Sequence, residues 1–340
     1  MPNTMRKVVI SEFGDVSKVN VVDAQISDPP AGQVQVKVIY AGFSGADVNM
    51  RLGTYPMQRK SPLTPGYCLV GKVAVNGKSC TNFQPGTLIG CLSIYDAEAE
   101  LVNLPEKYLV PIPSGLELQA ATALILDWNT AYGMVMHAAR VSSGQKIFVH
   151  GMSGAVGYAV TVLAQLQGAH VYGTASEKNH VLIRKMGATP FTYSNKNWIN
   201  QMNELGGADA VFDALGFESW DESYSILRPD GGILVGYGGN LNSLNGQAPR
   251  SIIYPTLKLL ARNYLKFWSG KRTKFYYISR DRSSFIPDLN ALFDLLGRGK
   301  ISVPIKVVYP LEEIQEAHRS WGKAAGIGSL LINVAGDEKS

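Results

Sequence analysis

Apolar and polar positions change their rhythm partway along this chain. Over residues 34–40 they alternate with a period of two, as a strand with one buried face requires. Turn-forming residues crowd the surrounding stretch: Pro29, Pro30, Gly53, Pro56, Pro65, Gly66, Pro85, Gly86, Pro111 and Pro113. Breakers at that spacing predict a loop-rich β domain with little helix. Residues 118–136 are rich in Ala, Leu and Met and hold no proline, which predicts one or two helices. From 145 onward, short apolar strands (147–150, 171–174, 191–193, 208–213, 232–237) alternate with helices at 154–167 and 178–186. Gly168 and Gly187 supply the stop signals of those helices. Such alternation predicts a parallel, doubly wound sheet. Residues 240–250 are polar and read as a loop. The tail reads as helix 285–296, strand 301–309, helix 311–320 and strand 329–334.

A chain of 340 residues has room for two domains, and 46% hydrophobic with 17% charged residues suits a globular protein. The net charge of +5 is too small to argue for nucleic acid by itself, and no recognition module is visible. Three separated cysteines (Cys68, Cys80, Cys91) make no disulfide framework and fit a reducing compartment. Residues 1–15 lack the apolar core of a signal peptide, and no apolar run reaches the roughly 18 residues of a spanning helix. The expectation is a soluble, cytoplasmic protein without internal repeats.

The chemistry begins at Gly151-Met152-Ser153-Gly154-Ala155-Val156-Gly157, between an apolar strand and an apolar helix. Glycines here permit a tight turn and close packing of helix on strand. They also let backbone amides approach a pyrophosphate at the positive end of the helix. The spacing Gly-x-x-Gly-x-x-Gly is a variant of the dinucleotide fingerprint, and its context separates it from an ordinary βαβ turn. Cofactor choice is set at the end of the second strand, where NAD enzymes place a carboxylate for the ribose hydroxyls. Here the chain reads Gly173-Thr174-Ala175-Ser176-Glu177-Lys178. Ser176 and Lys178 can donate to a 2′-phosphate, which favours NADPH. Glu177 opposes this unless it serves only as an acid in the first turn of the next helix.

Read together, several segments resemble the quinone oxidoreductase-like, zinc-independent branch of the medium-chain dehydrogenase/reductase superfamily. They are 41–56 (AGFSGADVNMRLGTYP), 64–73 (TPGYCLVGKV), 124–132 (LILDWNTAY) and 141–157 (VSSGQKIFVHGMSGAVG), followed by 173–178, 211–216 (VFDALG) and 328–332 (GSLLI). The resemblance covers nearly the whole chain. It implies an α/β protein in which a GroES-like β domain (1–125 and 271–340) is interrupted by a Rossmann domain (126–270), with the active site in the cleft between them. It further implies a homodimer joined through the edges of the Rossmann sheets. Carried over by position, Gly173, Ser176, Lys178 and Tyr193 match the adenosine-phosphate site and Lys323 a C-terminal basic residue near the cofactor. Thr130 lies on the nicotinamide side, and Leu215, Gly216 and Tyr237 complete the cofactor set.

Zinc relatives of this superfamily use a catalytic Cys, a His-Glu pair and a second Cys. Here Ser44 replaces the first Cys, Tyr67-Cys68 stands where His-Glu would be, and the four-cysteine structural lobe is missing. Scattered histidines, such as His150 at a strand end and His318 on an amphipathic helix, do not replace them, so no metal is expected. A quinone or enone then takes hydride while a proton from water or a side chain meets the developing enolate. The positions that match the family's substrate side are Ser44, Asn49, Arg51 and Tyr55. Ser44 stands where many relatives have Asn, and Asn49 where some have Tyr. Tyr55 reads equally as a donor or an aromatic wall, and Asn49 as a donor or a backbone-binding turn residue.

Residues 254–282 hold Lys258, Arg262, Lys266, Lys271, Arg272, Lys274, Arg280 and Arg282 against the single acid Asp281, interleaved with aromatics. Three readings compete: a strand and loop with a solvated basic face near a dimer interface, a lid over the substrate, or an attachment site for anionic lipid. The leading function is NADPH-dependent reduction of a quinone or enone. The rival is a cofactor-binding protein with little catalysis, held at a membrane surface or partner by this segment.

Overall fold

The computed structural model describes residues 3–336; residues 1–2 and 337–340, at the ends of the expected outer domain ranges, lie outside the described residues. The chain divides into two compact units. The second in chain order comprises Asp127–Ile278 with Ala325–Gly328, and the first holds the other described residues.

The first unit is built on strands. Strands β1 (Asn3–Ile10) and β2 (Val19–Ile26) form an antiparallel pair. Then come β3 (Gln33–Phe43), helix α1 (Gly45–Arg51), β4 (Leu69–Asn76), β5 (Leu88–Cys91), β6 (Leu101–Pro105), β7 (Val110–Pro111) and helix α2 (Leu118–Ala123). Strand β3 sits at the centre, antiparallel to both β4 and β6, and two register shifts against β4 bend it. Helix α1 is the piece that breaker density concealed. Its first turn is a capping box, with Asp47 accepting from Ser44 N at 2.8 Å and Ser44 Oγ accepting from Ala46 N at 3.1 Å. Two orphan amides are satisfied that way, enough to start a two-turn helix among glycines. Gly53, at φ +74, follows its end.

The helical run continues as a π-helical turn (Leu124–Trp128), α3 (Asn129–Tyr132) and a second π-helical stretch (Gly133–Ala139), stopping at left-handed Arg140. In the second unit follow β8 (Lys146–His150), α4 (Ala155–Leu166), β9 (His170–Ala175), α5 (His180–Lys185), β10 (Thr189–Thr192), α6 (Trp198–Glu204), β11 (Ala210–Asp213), α7 (Ser219–Ser225), β12 (Ile233–Gly236), α8 (Leu241–Leu244), α9 (Ile253–Leu265) and β13 (Arg272–Phe275). The strands lie in the order β10-β9-β8-β11-β12-β13, every pair parallel. That is the doubly wound order 3-2-1-4-5-6, with its switch point between β8 and β11. One face of the sheet is sealed by Phe148, Trp198, Trp220, Phe217, Tyr224 and Leu259, all buried. Phe148 stacks on Trp198 at 5.1 Å between centroids. A Cβ on Gly236 would meet the Trp220 ring at 2.7 Å, so β12 approaches that indole as closely as only glycine allows.

Three expectations need correction in this unit. The polar stretch 240–250 is not wholly loop, because α8 interrupts it and Asn242 Nδ2 closes the rest by donating to Ala248 O at 2.7 Å. The basic aromatic segment opens as helix α9 rather than as strand and loop. Leu259 anchors the helix, and Lys258 and Arg262 pair with Asp221 of α7. The chain leaves this unit after Ile278, not at 270, because β13 still pairs with β12.

The return to the first unit supplies α10 (Phe285–Gly297), β14 (Ile305–Pro310), α11 (Ile314–Ser320) and β15 (Ser329–Asn333). Strand β14 begins four residues later than the apolar pattern suggested. It runs parallel to β15, which is antiparallel to β3, completing the path β14-β15-β3-β4-β5-β7.

Candidate functional site

The glycine turn lies between β8 and α4, and its glycines divide the work. Gly151 adopts φ +71. A Cβ on Gly157 would lie 2.2 Å from Gly151 O, and one on Gly173 would lie 2.1 Å from Val149 O. The first is needed for its dihedral, the other two for close approach. Gly154 is the N-cap of α4 and offers no side-chain cap, so the first-turn amides at Ala155, Val156 and Gly157 are left for an outside acceptor. Ser153 O accepts from Gly328 N at 3.2 Å, and Gly328 bridges Gly154. The short return segment Ala325–Gly328 therefore packs against the turn, a partnership that sequence reading missed. Its signal was the left-handed pair Gly326 (φ +96) and Gly328 (φ +112).

Beside the turn, Thr174 Oγ1 accepts from Gly151 N at 3.3 Å and sits 3.1 Å from His150 Nδ1. His150 Nε2 lies 3.0 Å from Ser223 Oγ, which donates to Asp213 Oδ2 at 2.6 Å. Asp213 also accepts from Ser219 Oγ at 2.7 Å, Leu215 N at 2.7 Å and Gly216 N at 3.4 Å. This wholly buried network ties the ends of β8, β9 and β11 together at the switch point. Burial holds His150 below its ordinary value, so it serves as a neutral crosslink. Leu215 and Gly216 were expected to bind cofactor. Their amides are spent on Asp213 and their carbonyls on Leu241 N and Ser219 N, so these backbone groups shape a turn.

At the far end of β9, Ser176 is half-buried and its hydroxyl makes no cap to the short helical turn that follows. Lys178 and Tyr193 are exposed. Glu177 accepts from Thr192 Oγ1 at 3.1 Å, which turns the opposing carboxylate toward β10. Thr130 lies buried on α3. Tyr237 follows β12, where burial, with Asp213 and Asp127 close, pushes its phenol well up and keeps it a donor. Lys323 follows α11 and belongs to the first unit. Glycine turn, uncapped helix and phosphate-sized donors after β9 fit a dinucleotide.

The four substrate-side candidates of the first unit separate. Ser44 is the N-cap of α1, and its hydroxyl donates to Asp47 at 3.1 Å. Arg51 is buried, donates to Gly14 O and lies 3.4 Å from His318 Nδ1, so its guanidinium ties local structure together rather than facing a substrate. Asn49 is half-buried, and its carbonyl accepts from Thr54 N and Tyr55 N. Tyr55 is half-buried and donates to Tyr67 Oη at 2.7 Å, with the rings edge to face at 5.9 Å. Asp47 accepts from Gly66 N at 3.1 Å, joining α1 to the loop before β4 that carries Tyr67. Burial raises Asp47 to about 6 and pushes the neighbouring Glu98 well up. Among the described residues no group of three or more His, Cys, Asp or Glu side chains could hold a metal ion, and no helix is long and apolar enough to cross a membrane.

Comparison with known proteins adds the lineage. Residues 30–114 match the alcohol dehydrogenase GroES-like domain, and residues 186–332 match the zinc-binding dehydrogenase family. The zebrafish (Danio rerio) synaptic vesicle membrane protein VAT-1 homolog is 27% identical over 97% of this chain and 70% of its own length. Quinone oxidoreductase of Rattus norvegicus is 26% identical over 96% of this chain and 97% of its own. Among solved structures, the CurK enoyl reductase superposes with a TM-score of 0.81 at 22% identity, covering 97% of this chain and 99% of that one. A mycobacterial protein complexed with NADPH does so at 0.82 and 22%, covering 97% and 100%. At such identities the superpositions establish the fold.

Proposed function

We base a proposal on lineage: the chain belongs to the zinc-independent, quinone oxidoreductase-like branch of the medium-chain dehydrogenase/reductase superfamily, and we propose that it reduces a quinone or an α,β-unsaturated carbonyl with NADPH. The observation that carries the reading is the glycine cradle. Gly151 turns the chain, Gly157 and Gly173 admit close backbone approach, and an uncapped helix presents its amides.

The amides of Ala155, Val156 and Gly157 would hold the pyrophosphate, and Ser176, Lys178 and Tyr193 the 2′-phosphate. Glu177, turned toward Thr192, lowers the objection to that phosphate. The bound nicotinamide supplies a hydride. Thr130 and Tyr237 stand on its side of the set, with Tyr237 protonated across the physiological range. Tyr55 in the first unit donates the proton that quenches the enolate or phenolate oxygen. A curated relative, the quinone oxidoreductase, supports the choice of substrates.

We assign the protein to the cytoplasm as a homodimer. The exposed β13 edge and the neighbouring exposed Ile253, Tyr254, Leu257 and Tyr264 of α9 support pairing with a second copy. Consumption of NADPH and of NADH, followed in parallel over a panel of quinones and enones, tests the reading. NADPH-selective turnover is expected; tight NADPH binding without turnover of any member would favour a binding protein.

A further inference from the structure

We propose that Tyr67 is a positioning residue for Tyr55, and that the two phenols act as one donor couple; this rests on the reductase reading above. Tyr67 occupies the position that in zinc relatives carries a metal-binding histidine. Its side chain is 2% exposed, yet its hydroxyl meets that of half-buried Tyr55 at 2.7 Å. The backbone fixes it from both sides, with Gly66 N donating to Asp47 and Ile94 N donating to Tyr67 O at 2.9 Å. Tyr55 is held as firmly, its amide shared between Asn49 O at 3.2 Å and Gln58 Oε1 at 3.0 Å, while Gln58 Nε2 donates to Met50 O. Two rigid mounts thus meet through two hydroxyls, each able to donate and to accept.

At rest Tyr55 points its proton at Tyr67. When a carbonyl oxygen arrives, Tyr55 turns its O–H outward and its freed lone pair accepts from Tyr67. A hydrogen bond received there polarises the Tyr55 O–H and stabilises the phenolate as it forms. The step balances. Hydride brings two electrons to the conjugated carbon, the Tyr55 proton goes to the substrate oxygen, the Tyr67 proton moves to Tyr55, and after product leaves a proton from water returns to Tyr67 through half-buried Tyr55. An ordinary phenol near pKa 10 is a sluggish acid at neutral pH, so a partner that stabilises its anion acts on the rate more than on binding.

Kinetics of Tyr55→Phe, Tyr67→Phe, Tyr67→His and the double Phe variant test the couple. Each single Phe variant should lower kcat about 10- to 100-fold with KM and NADPH affinity within about threefold. The double variant should be no worse than Tyr55→Phe, and Tyr67→His, which restores a donor, should recover part of the loss. The alkaline limb of the kcat profile should move up in Tyr67→Phe. Wild-type kcat in Tyr67→Phe, or a loss matched by NADPH affinity and melting temperature, would overturn the proposal. A second readout needs no turnover: NMR of protein labelled at the tyrosine Cζ, titrated with a phenolate as enolate mimic. Joint movement of the Tyr55 and Tyr67 signals supports the couple, and movement of neither or of Tyr55 alone overturns it. If the wild type reduces no member of the panel, the reductase reading falls while this second readout still decides the couple.

Discussion

Replacing Asp213 should unseat the dinucleotide end of the second unit, and its neighbours set the size of the effect. The carboxylate is wholly buried and accepts four hydrogen bonds, two from serine hydroxyls and two from backbone amides. Its closest basic group is His150 at 3.8 Å, which burial keeps neutral, so hydrogen bonds alone hold the charge. In Asp213→Asn the shape survives and Oδ1 keeps the two backbone amides, but an amide nitrogen in place of Oδ2 cannot accept from the Ser219 and Ser223 hydroxyls, and losing those two bonds at about 1–1.5 kcal/mol each costs about 2–3 kcal/mol. Asp213→Ala orphans all four donors and should cost about 4–5 kcal/mol. For a unit of this size the Asn variant should lower its melting temperature by roughly 5–10 °C. Calorimetry reads that shift, and fluorescence titration should show NADPH affinity weakened about tenfold as the ends of β8, β9 and β11 loosen. A melting temperature within about 1 °C of wild type, or equal losses for Asn and Ala, would refute the reasoning.

Further outcomes follow from single side chains. Lys178→Glu should erase NADPH preference over NADH by at least about tenfold, measured as the ratio of kcat/KM values; unchanged selectivity removes Lys178 from the phosphate site. Glu98 is wholly buried, neither carboxyl oxygen has a hydrogen-bond partner, and burial with Asp47 beside it raises its pKa. A raised carboxyl costs stability as pH climbs above its unfolded value. Glu98→Gln should therefore stabilise the first unit on the order of 1–3 kcal/mol at neutral pH, with the gain fading toward pH ~4 in urea melts. His318 acts with the opposite sign: burial, then Arg51, pushes it down to about 3. Its stabilisation is complete above the unfolded value near 6.5 and drains away as pH falls toward 3, up to about 1.4 kcal/mol per pH unit. His318→Gln should flatten that acid limb, and an unaltered limb would show that another group titrates. For a cytoplasmic protein, exposed Phe267 and Trp268 beside Lys266 should leave it in the supernatant with anionic vesicles at low salt; cosedimentation that is lost as salt rises would instead establish the lipid reading and contradict the cytoplasmic assignment.

What could be read from the chain alone depended on how local each cause is. The glycine turn was legible because Gly151, Gly154 and Gly157 answer to backbone demands within seven residues. The parallel sheet was legible because each buried strand is a short apolar run bounded by turn residues. Helix α1 was hidden by the density of breakers, although Ser44 and Asp47 stand at capping-box spacing. Arg51 looked chemical in its motif, but its guanidinium is consumed by Gly14 and His318, remote in sequence. The Asp213 network gathers residues from 150 to 223, and no local pattern announces it. Helix α9 escaped although Ile253, Leu257, Leu260 and Tyr264 recur at helical spacing, because that stripe is exposed rather than packed on the core and the interleaved basic and aromatic residues drew the reading toward strand and loop.

The most direct test of the central claim is the fate of the hydride. NADPH deuterated on the reactive face of the nicotinamide ring is mixed with the preferred enone, and the product is examined by mass spectrometry. One deuterium on the carbon β to the carbonyl is the expected result. A reduced product without the label, or oxidation of NADPH with no reduced product, would contradict direct hydride transfer by this protein.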